Sequence, residues 1–351
     1  MEAISDRLFN EHTTDNLQDD PSLLTIILDV SPSGWFKIQN VISIQDVVKS
    51  LIVYLNSHLS LNNSNQVAFL ITSPLKSKFL YPKLDNSNII KDSVSKDMYR
   101  QFKIVDDIIL EELNQFLNEM IDKIENNKRS TLTGAISLGL TYTNRMLTLD
   151  QSILTTTASA MTTTSLANSN QNSSNITSSS STSMKSRMLI ISANDDDDEL
   201  TYIPLMNCIF AAQKMKVSID VAKLGFKNSS YLQQASDATN GIYLHIENPK
   251  GLIQVLSTAF FIEPNLRPFI ILPANSNVNY RASCFITGKA VDIGYVCSVC
   301  LCIMSKLPEK CPACNSEFDK KIIEQLNRVP QIRKKRKLES NGNGNNENNN
   351  N

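Results

Sequence analysis

Five of the seven cysteines lie in one short segment near the C-terminus. Within it, Cys297 and Cys300 form one Cys-x-x-Cys pair, Cys311 and Cys314 form a second, and ten residues separate the pairs. The two-residue spacing lets a tight turn direct both sulfurs toward one point, and two such turns supply the four thiolates of a tetrahedral zinc site. The sequence therefore predicts one structural Zn²⁺ ion bound by these four cysteines.

The neighbouring cysteines limit the number and the role of the metal. From Cys284 onward the chain holds six cysteines and no histidine, which is too few ligands for a RING-type site with two zinc ions. Four thiolates close the coordination sphere, whereas a catalytic zinc keeps an open position. Cys302 forms an overlapping Cys-x-Cys with Cys300, so it is either a substitute ligand or a spare thiol, and the spare thiol is the simpler interpretation. Cys208 and Cys284 are expected to be small buried apolar residues.

A second group of ligand types follows the first predicted strand. Asp29, Ser31 and Ser33 form an Asp-x-Ser-x-Ser motif, and Thr131 precedes a predicted helix. Carboxylate and hydroxyl oxygens at the carboxyl ends of parallel strands suit Mg²⁺, and Asp195 at a later strand end is a further candidate. The alternative is that the two serines cap a helix or shape a turn. The sequence leaves open whether these residues hold Mg²⁺.

Motifs of other chemistries are missing from the sequence. No G-x-G-x-x-G follows the first strand, and there is no P-loop and no G-x-S-x-G. His12, His58 and His245 are scattered, and His245 lies in an apolar run where a core position is the simpler interpretation. A metal-dependent hydrolase working from Asp29 would have no visible general base or nucleophile. We therefore predict no catalytic residues and no enzymatic activity.

Short apolar runs alternate with helical patterns from residue 23 to residue 262. Runs of four to eight residues rich in Ile and Val indicate strands buried on both faces. Strands are predicted at 23–28, 66–71, 188–191, 217–224 and 242–246, with a short edge strand at 78–81. Helices are predicted at 41–59, 104–124, 133–147, 200–214, 231–238 and 252–262. This alternation predicts a doubly wound, mainly parallel α/β sheet with the Asp29 motif at its carboxyl edge.

Composition divides the chain into further segments. Ser and Thr fill 19 of the 34 positions of 151–184, so this stretch buries too little apolar surface to become ordered. The predicted segments are a flexible N-terminus at 1–20, an α/β domain at 21–263 with a disordered insertion at 150–186, a connector at 264–290, a zinc module at 291–320 and a disordered tail at 330–351. The N-terminus has no apolar stretch typical of a secretory signal, and no apolar run reaches the roughly 20 residues of a membrane helix. We expect a reducing compartment, where clustered cysteines indicate metal.

Charge is nearly balanced over the whole chain but not within it. The net charge is −1, which argues against bulk attraction to nucleic acid. The zinc segment carries Lys306 and Lys310, opposed by Glu309. Five consecutive basic residues, Arg333 to Lys337, precede a polar tail, and the run is typical of a nuclear import signal, a nucleic-acid contact or a plain solvated tail.

Several segments resemble the small von Willebrand A subunit of general transcription factor IIH. They are residues 279–285 and 292–301 around the first cysteine pair, with 210–214, 232–235 and 241–244 in the preceding domain. The resemblance covers about residues 20–320, and the zinc region is its most specific part, because a von Willebrand A-like domain followed by a four-cysteine module is an uncommon pairing. The tract at 151–184 and the more complete motif at Asp29 depart from that family, so no magnesium role is carried over.

The resemblance implies a function. It implies a non-catalytic scaffold subunit of the factor IIH core, acting in RNA polymerase II initiation and nucleotide excision repair. Its partners would be the larger von Willebrand A and RING-type subunit and other core subunits, with no membrane and no small-molecule substrate. Contact with DNA would be indirect or weak, and the location would be the nucleus. The alternative kept open is a zinc-ribbon nucleic-acid-binding protein.

Overall fold

The chain is described here by a computed structural model. It describes residues 20–83, 100–121, 131–165, 184–195, 202–263, 266–271, 278–319, 321 and 323. Two units are distinguished, Met1–Ala282 and Ser283–Asn351. The predicted N-terminal segment, apart from Asp20, and the predicted tail at 330–351 lie outside the described residues.

Six strands form the sheet of the first unit. They are β1 (Ser22–Asp29), β2 (Gln66–Thr72), β3 (Ser77–Tyr81), β4 (Lys185–Ser192), β5 (Ser218–Lys223) and β6 (Tyr243–His245). Their order is β3-β2-β1-β4-β5-β6, with β3 antiparallel at one edge and every other pairing parallel. Strand β1 is buried along its whole length because strands flank both of its edges and helices cover both faces of the sheet. The predicted doubly wound, mainly parallel sheet and its edge strand are confirmed.

Seven helices accompany this sheet in the described ranges. They are α1 (Pro32–Ile38), α2 (Ile44–Leu61), α3 (Arg100–Ile121), α4 (Leu132–Ser165), α5 (Tyr202–Met215), α6 (Ser230–Ala238) and α7 (Leu252–Val255), the last continued by a π-turn at Leu256–Phe260. One apolar layer packs α2, α3 and α7 on one face, and a second packs α4, α5 and α6 on the other. Among the described helices, none is both long enough and apolar enough to cross a bilayer.

Two elements differ from the prediction. Helix α1 occupies residues for which no helix or strand was predicted, because its seven residues bury only Gly34 and Ile38 and show no apolar period. Helix α4 runs to Ser165, well past the predicted end at residue 147 and into the segment predicted as a disordered insertion. No Gly or Pro stands between residues 140 and 165, so nothing in the backbone ends the helix there. Residues 166–183 lie outside the described part of the chain.

The second unit is built from short hairpins. Strand β7 (Ala282–Ser283) pairs with β8 (Ala290–Val291), and β9 (Tyr295–Val296) pairs antiparallel with β10 (Ile303–Met304). Among its described residues, the fully buried apolar side chains are sulfur-containing: Cys284, Cys297, Cys302, Met304 and Cys311. A core made of thiols and one methionine offers little hydrophobic stabilisation.

Candidate metal centre

Two turns of the same construction hold the four predicted ligands. We call residues 297–302 the first knuckle and residues 311–316 the second. In each, the amide of the first cysteine donates to the carbonyl of the sixth residue, at 3.0 Å and 2.9 Å respectively. The amide of the fifth residue donates back to the carbonyl of the first cysteine, at 2.9 Å in both. These local bonds fix the tight turn that directs each pair of sulfurs to one side.

The four cysteine sulfurs surround one common point. The Sγ atoms of Cys297, Cys300, Cys311 and Cys314 all lie within 4.8 Å of one another. The Cys297–Cys314 separation is 3.7 Å and the Cys300–Cys311 separation is 3.5 Å. Sulfurs at the usual 2.3 Å from a tetrahedral zinc stand about 3.8 Å apart, and all four cysteines are free thiols. The predicted ligands therefore converge in an arrangement that fits one thiophilic ion.

Hydrogen-bond donors favour the thiolate form that a metal requires. The hydroxyl of Ser316 and the amides of Cys300 and Val299 point at the Cys297 sulfur and lower its pKa to about 6. Burial works against ionisation of Cys311, but the equivalent amides of the second knuckle give it a pKa below the ordinary value. A backbone hydrogen bond from Cys302 acts to lower the pKa of Cys300, but burial and hydrogen bonds with the neighbouring thiols raise it overall. The lowered pKa values of Cys297 and Cys311 assist metal capture because the thiolate is the ligand.

Cys302 has a counterpart in the second knuckle. It is the sixth residue of the first knuckle, as Ser316 is of the second, and each contacts the first cysteine of the other knuckle. The Cys302 sulfur lies 3.3 Å from that of Cys311, and the Ser316 hydroxyl lies 3.5 Å from the sulfur of Cys297. Burial raises the pKa of the Cys302 thiol to about 11. Cys302 lies outside the set of four converging sulfurs, and its thiol is close enough to Cys311 to form a hydrogen bond with it.

The Asp-x-Ser-x-Ser motif is brought only partly together. Asp29 accepts bonds at Oδ1 from the Ser31 amide (3.0 Å) and hydroxyl (2.6 Å), and at Oδ2 from the Ser192 hydroxyl (2.9 Å). Burial raises the pKa of Asp29 despite these bonds. Ser33 lies exposed on α1, and the Thr131 hydroxyl bonds to β2 and β3. Ser31 occupies the N-cap position of α1, as the alternative interpretation had it, but its hydroxyl serves Asp29 and caps no helix amide.

A buried lysine supplies the positive charge at this edge of the sheet. The Lys223 side chain is fully buried, and its ammonium donates to the Asn194 carbonyl (2.5 Å) and to Asp195 (3.2 Å). Asp195 also pairs with Lys37 of α1 at 3.6 Å. Burial acts to raise the pKa of Asp195, but the Lys227 amide and the Lys223 charge lower it overall. Asp195 therefore serves an ion pair and does not complete an oxygen site with Asp29.

Helix α1 covers the same crevice. A Cβ atom at Gly34 would stand 2.5 Å from the carbonyl carbon and oxygen of Ala193, so the helix rests on the chain just beyond β4. Strands β1 and β4 flank the switch point of the sheet, where doubly wound folds ordinarily bind ligands. Helix α1 and the Lys223 ammonium lie next to the end of β4 at that place.

The described histidines are structural. His58 is fully buried on α2 beside Arg187, whose guanidinium nitrogen lies 3.4 Å from Nδ1. Burial, and then that guanidinium, lower the pKa of His58 to about 4. His245 is half-buried and bonds to the Gly225 carbonyl. His12 lies outside the described residues.

Relatives of the chain identify its family. A sequence profile described as "Transcription factor Tfb4" matches residues 21–315, a span that includes all four cysteines. The chain belongs to the Tfb4 family. A relative from Debaryomyces hansenii, named General transcription and DNA repair factor IIH subunit TFB4, is 59% identical over 97% of both chains. The Saccharomyces cerevisiae protein of that name is 40% identical over 96% of this chain and 99% of its own.

A solved structure agrees with this membership. The crystal structure of the TFIIH p34 N-terminal domain superposes with a TM-score of 0.51 at 27% identity, covering 69% of this chain and 99% of that one. The resemblance to the small subunit of factor IIH and the predicted von Willebrand A-like fold class are confirmed.

Proposed function

We propose that this Tfb4 family member is a non-catalytic scaffold subunit of the factor IIH core. It would support RNA polymerase II initiation and nucleotide excision repair through protein–protein contacts. The observation that carries the proposal is the 59% identity, over 97% of both chains, to a protein named as a subunit of the general transcription and DNA repair factor IIH. The sequence match to this relative extends over both structural units. The relative therefore shares the four-cysteine unit with this chain as well as the α/β unit.

The internal bonding of the α/β unit supports a non-catalytic role. At the switch point both oxygens of Asp29 accept hydrogen bonds from serines of this chain. The nearby ammonium of Lys223 is engaged by Asn194 and Asp195. The Asp29 carboxylate and the Lys223 ammonium therefore already have hydrogen-bond partners within the chain, and α1 packs against Ala193 beside them. Such groups are poorly placed to bind a substrate.

The four cysteines would bind one structural Zn²⁺ ion. A tetrahedral set of four thiolates favours zinc among the divalent ions common in cells. Four protein ligands leave no position for water or substrate, so the ion would stabilise the fold. Zinc binding at roughly 10–16 kcal/mol would supply most of the stability of a unit with so small a core.

The partner would be the larger von Willebrand A and RING-type subunit of the factor, together with other core subunits, in the nucleus. The charge of residues 283–319 supports protein over DNA as the direct contact, because three lysines are opposed by four carboxylates. Lys310 forms an ion pair with Glu317 at 2.8 Å, which reduces the positive charge available to phosphate. The basic run Arg333 to Lys337, which would act in nuclear import, lies outside the described residues.

Affinity purification of the tagged full-length chain from nuclear extract tests this proposal. We expect the other core subunits of factor IIH to copurify, and metal analysis of the same sample to give one zinc ion per chain. Recovery of the chain without those subunits would contradict the scaffold role. A content of zero or two zinc ions would contradict the assignment of the site, independently of the partners.

A further inference from the structure

A third turn in the second unit has the same construction as the two knuckles. Residues 284–289, which we call the third knuckle, join β7 to β8 as residues 297–302 join β9 to β10. The Cys284 amide donates to the Lys289 carbonyl at 2.9 Å, and the Gly288 amide donates to the Cys284 carbonyl at 2.8 Å. These are the two hydrogen bonds, from the first and fifth residues, that close the other knuckles.

The backbone at the fifth residue matches as well. It is left-handed in all three turns, with φ of 66° at Gly288, 60° at Leu301 and 59° at Asn315. Because residues other than glycine and asparagine rarely adopt this conformation, its recurrence at one position marks a single type of turn used three times. In the other two turns the first and fourth residues are the metal-binding cysteines. In the third knuckle these positions hold Cys284 and Thr287.

Hydrogen-bond donors surround the Cys284 sulfur. The amide and the hydroxyl of Ser305 each lie 3.2 Å from it, and the side chain itself is only 1% exposed. Burial acts to raise the pKa of the Cys284 thiol, but the bonds from Ser305 and from the hydroxyl and amide of Thr287 lower it to about 6. These groups stabilise a thiolate, which is the form that a metal ion also favours.

The grouping of the turns along the chain alternates. The third knuckle is grouped with Ser305, which follows β10, and the Phe285 amide donates to the Ile303 carbonyl of β10 at 2.8 Å. The first knuckle lies between these two segments in sequence but is grouped with the second knuckle, which follows them. Alternate grouping of this kind is the cross-brace of RING-type modules, in which each of two zinc ions is held by alternate ligand pairs.

We infer that the second unit is a cross-brace of two clusters, one that binds the metal ion and one, formed by Cys284, Thr287 and Ser305, that is a latent metal site closed by hydrogen bonds. Zinc takes thiolate, imidazole or carboxylate ligands. One thiol and two hydroxyls are too few of these, so the latent site holds no ion. Its hydrogen bonds fix the third knuckle to the end of β10, as an ion would. The inference does not depend on the scaffold function.

The test titrates the metal-free full-length chain with Co²⁺, whose thiolate complexes absorb light, and counts the ions bound. The wild type should bind one ion. The variant with Thr287→Cys and Ser305→Cys should bind two, because three thiolates and a water complete a second tetrahedron. The control combines Ser305→Cys with Ile293→Cys, at a residue that is 90% exposed. It adds the same number of thiols, leaves only two at the latent site and should bind one ion.

A second variant tests the hydrogen bonds in the native chain. Cys284→Ala should keep one zinc ion per chain, because Cys284 is not a ligand. On heating it should release that ion about 4–8 °C below the wild type, because the donors of Thr287 and Ser305 lose their acceptor.

A single ion in the variant with Thr287→Cys and Ser305→Cys, with the absorption of the four-cysteine site intact, would overturn the inference. Two ions in the wild type or in the control would also overturn it. If the double variant binds no ion because it does not fold, Cys284→Ala decides. One ion released at a lower temperature supports the latent site, whereas an unchanged release temperature or a lost ion refutes it.

Discussion

Replacement of Cys302 tests how the metal centre is built. Its sulfur stands 3.3 Å from that of Cys311, in the place where Ser316 serves Cys297. Groups that hydrogen-bond to a metal ligand contribute about 10- to 100-fold in metal affinity, or about 1.4–2.7 kcal/mol. We expect Cys302→Ala to weaken zinc binding by about that factor. Cys302→Ser should stay within a few-fold of the wild type, because a hydroxyl performs the same task in the other knuckle.

Removal of a true ligand should have a larger effect. Zinc binding of roughly 10–16 kcal/mol shared over four thiolates amounts to about 2.5–4 kcal/mol each. Cys300→Ser should therefore weaken binding by at least about 70-fold. The assay is competition between the full-length chain and a chromophoric chelator, with thermal melting of the zinc-bound forms as the folding control.

Two results would refute this reasoning. If Cys302→Ala binds zinc as tightly as the wild type, the contact between Cys302 and Cys311 contributes nothing to zinc affinity. If Cys300→Ser keeps wild-type affinity and loses it only when Cys302 is also replaced, Cys302 is a substitute ligand, as one interpretation of the sequence had it.

Three further predictions concern the α/β unit. The pKa of His58 is about 4 in the folded chain and near 6.5 in the unfolded one, so between these pH values only the unfolded chain takes up the proton. The free energy of unfolding should therefore fall by up to about 3 kcal/mol as the pH drops from about 6.5 to 4. Urea titrations at pH 7.0 and 4.5 should show a smaller drop for His58→Gln than for the wild type. Lys223→Met should lower the free energy of unfolding by about 3–5 kcal/mol by leaving buried carboxylates uncompensated, and Asp195→Asn in the same chain should recover part of that loss. Gly34→Val should cost about 1–3 kcal/mol, because its Cβ collides with the chain at Ala193.

Each of these predictions has its own control. An equal drop with pH in wild type and His58→Gln would show that His58 takes up its proton without unfolding. Strict additivity of Lys223→Met and Asp195→Asn would show that the pair is not coupled. For Gly34→Val the matched change is Gly134→Ala on α4, where a Cβ has no neighbour within 4 Å. That change should stabilise the helix by about 0.5–1 kcal/mol, and a loss equal to that of Gly34→Val would contradict the argument from crowding.

The sequence was most informative where the pattern is local. Strand β1 was predictable because a run of six residues, five of them apolar, fits a strand covered on both faces. The four ligands were predictable because two Cys-x-x-Cys turns have one geometry. Helix α1 was missed because a seven-residue helix has too few turns to show an apolar period. Pro32 at its first position, preceded by Ser31, was the available signal.

Other features depend on contacts between distant residues. The ion pair between Lys223 and Asp195 joins residues 28 positions apart in the chain. Nothing in the local sequence of β5 indicates that the lysine at its C-terminal end is buried. The correspondence of Cys302 with Ser316 was detectable in principle. Residues 297–302 and 311–316 have the patterns Cys-x-x-Cys-x-Cys and Cys-x-x-Cys-x-Ser, and alignment of the two turns places Cys302 opposite Ser316.

The place of β1 in the sheet has a consequence for biosynthesis. One edge of β1 pairs with β2, which follows soon after it, but the other pairs with β4, where Ser22 stands opposite Lys185. At translation rates of about 5–20 residues per second, roughly 10 to 30 s separate the emergence of the two strands from the ribosome. During that interval the backbone N–H and C=O groups along one edge of this apolar strand have no partner strand. Pairing between nascent chains would begin at that edge.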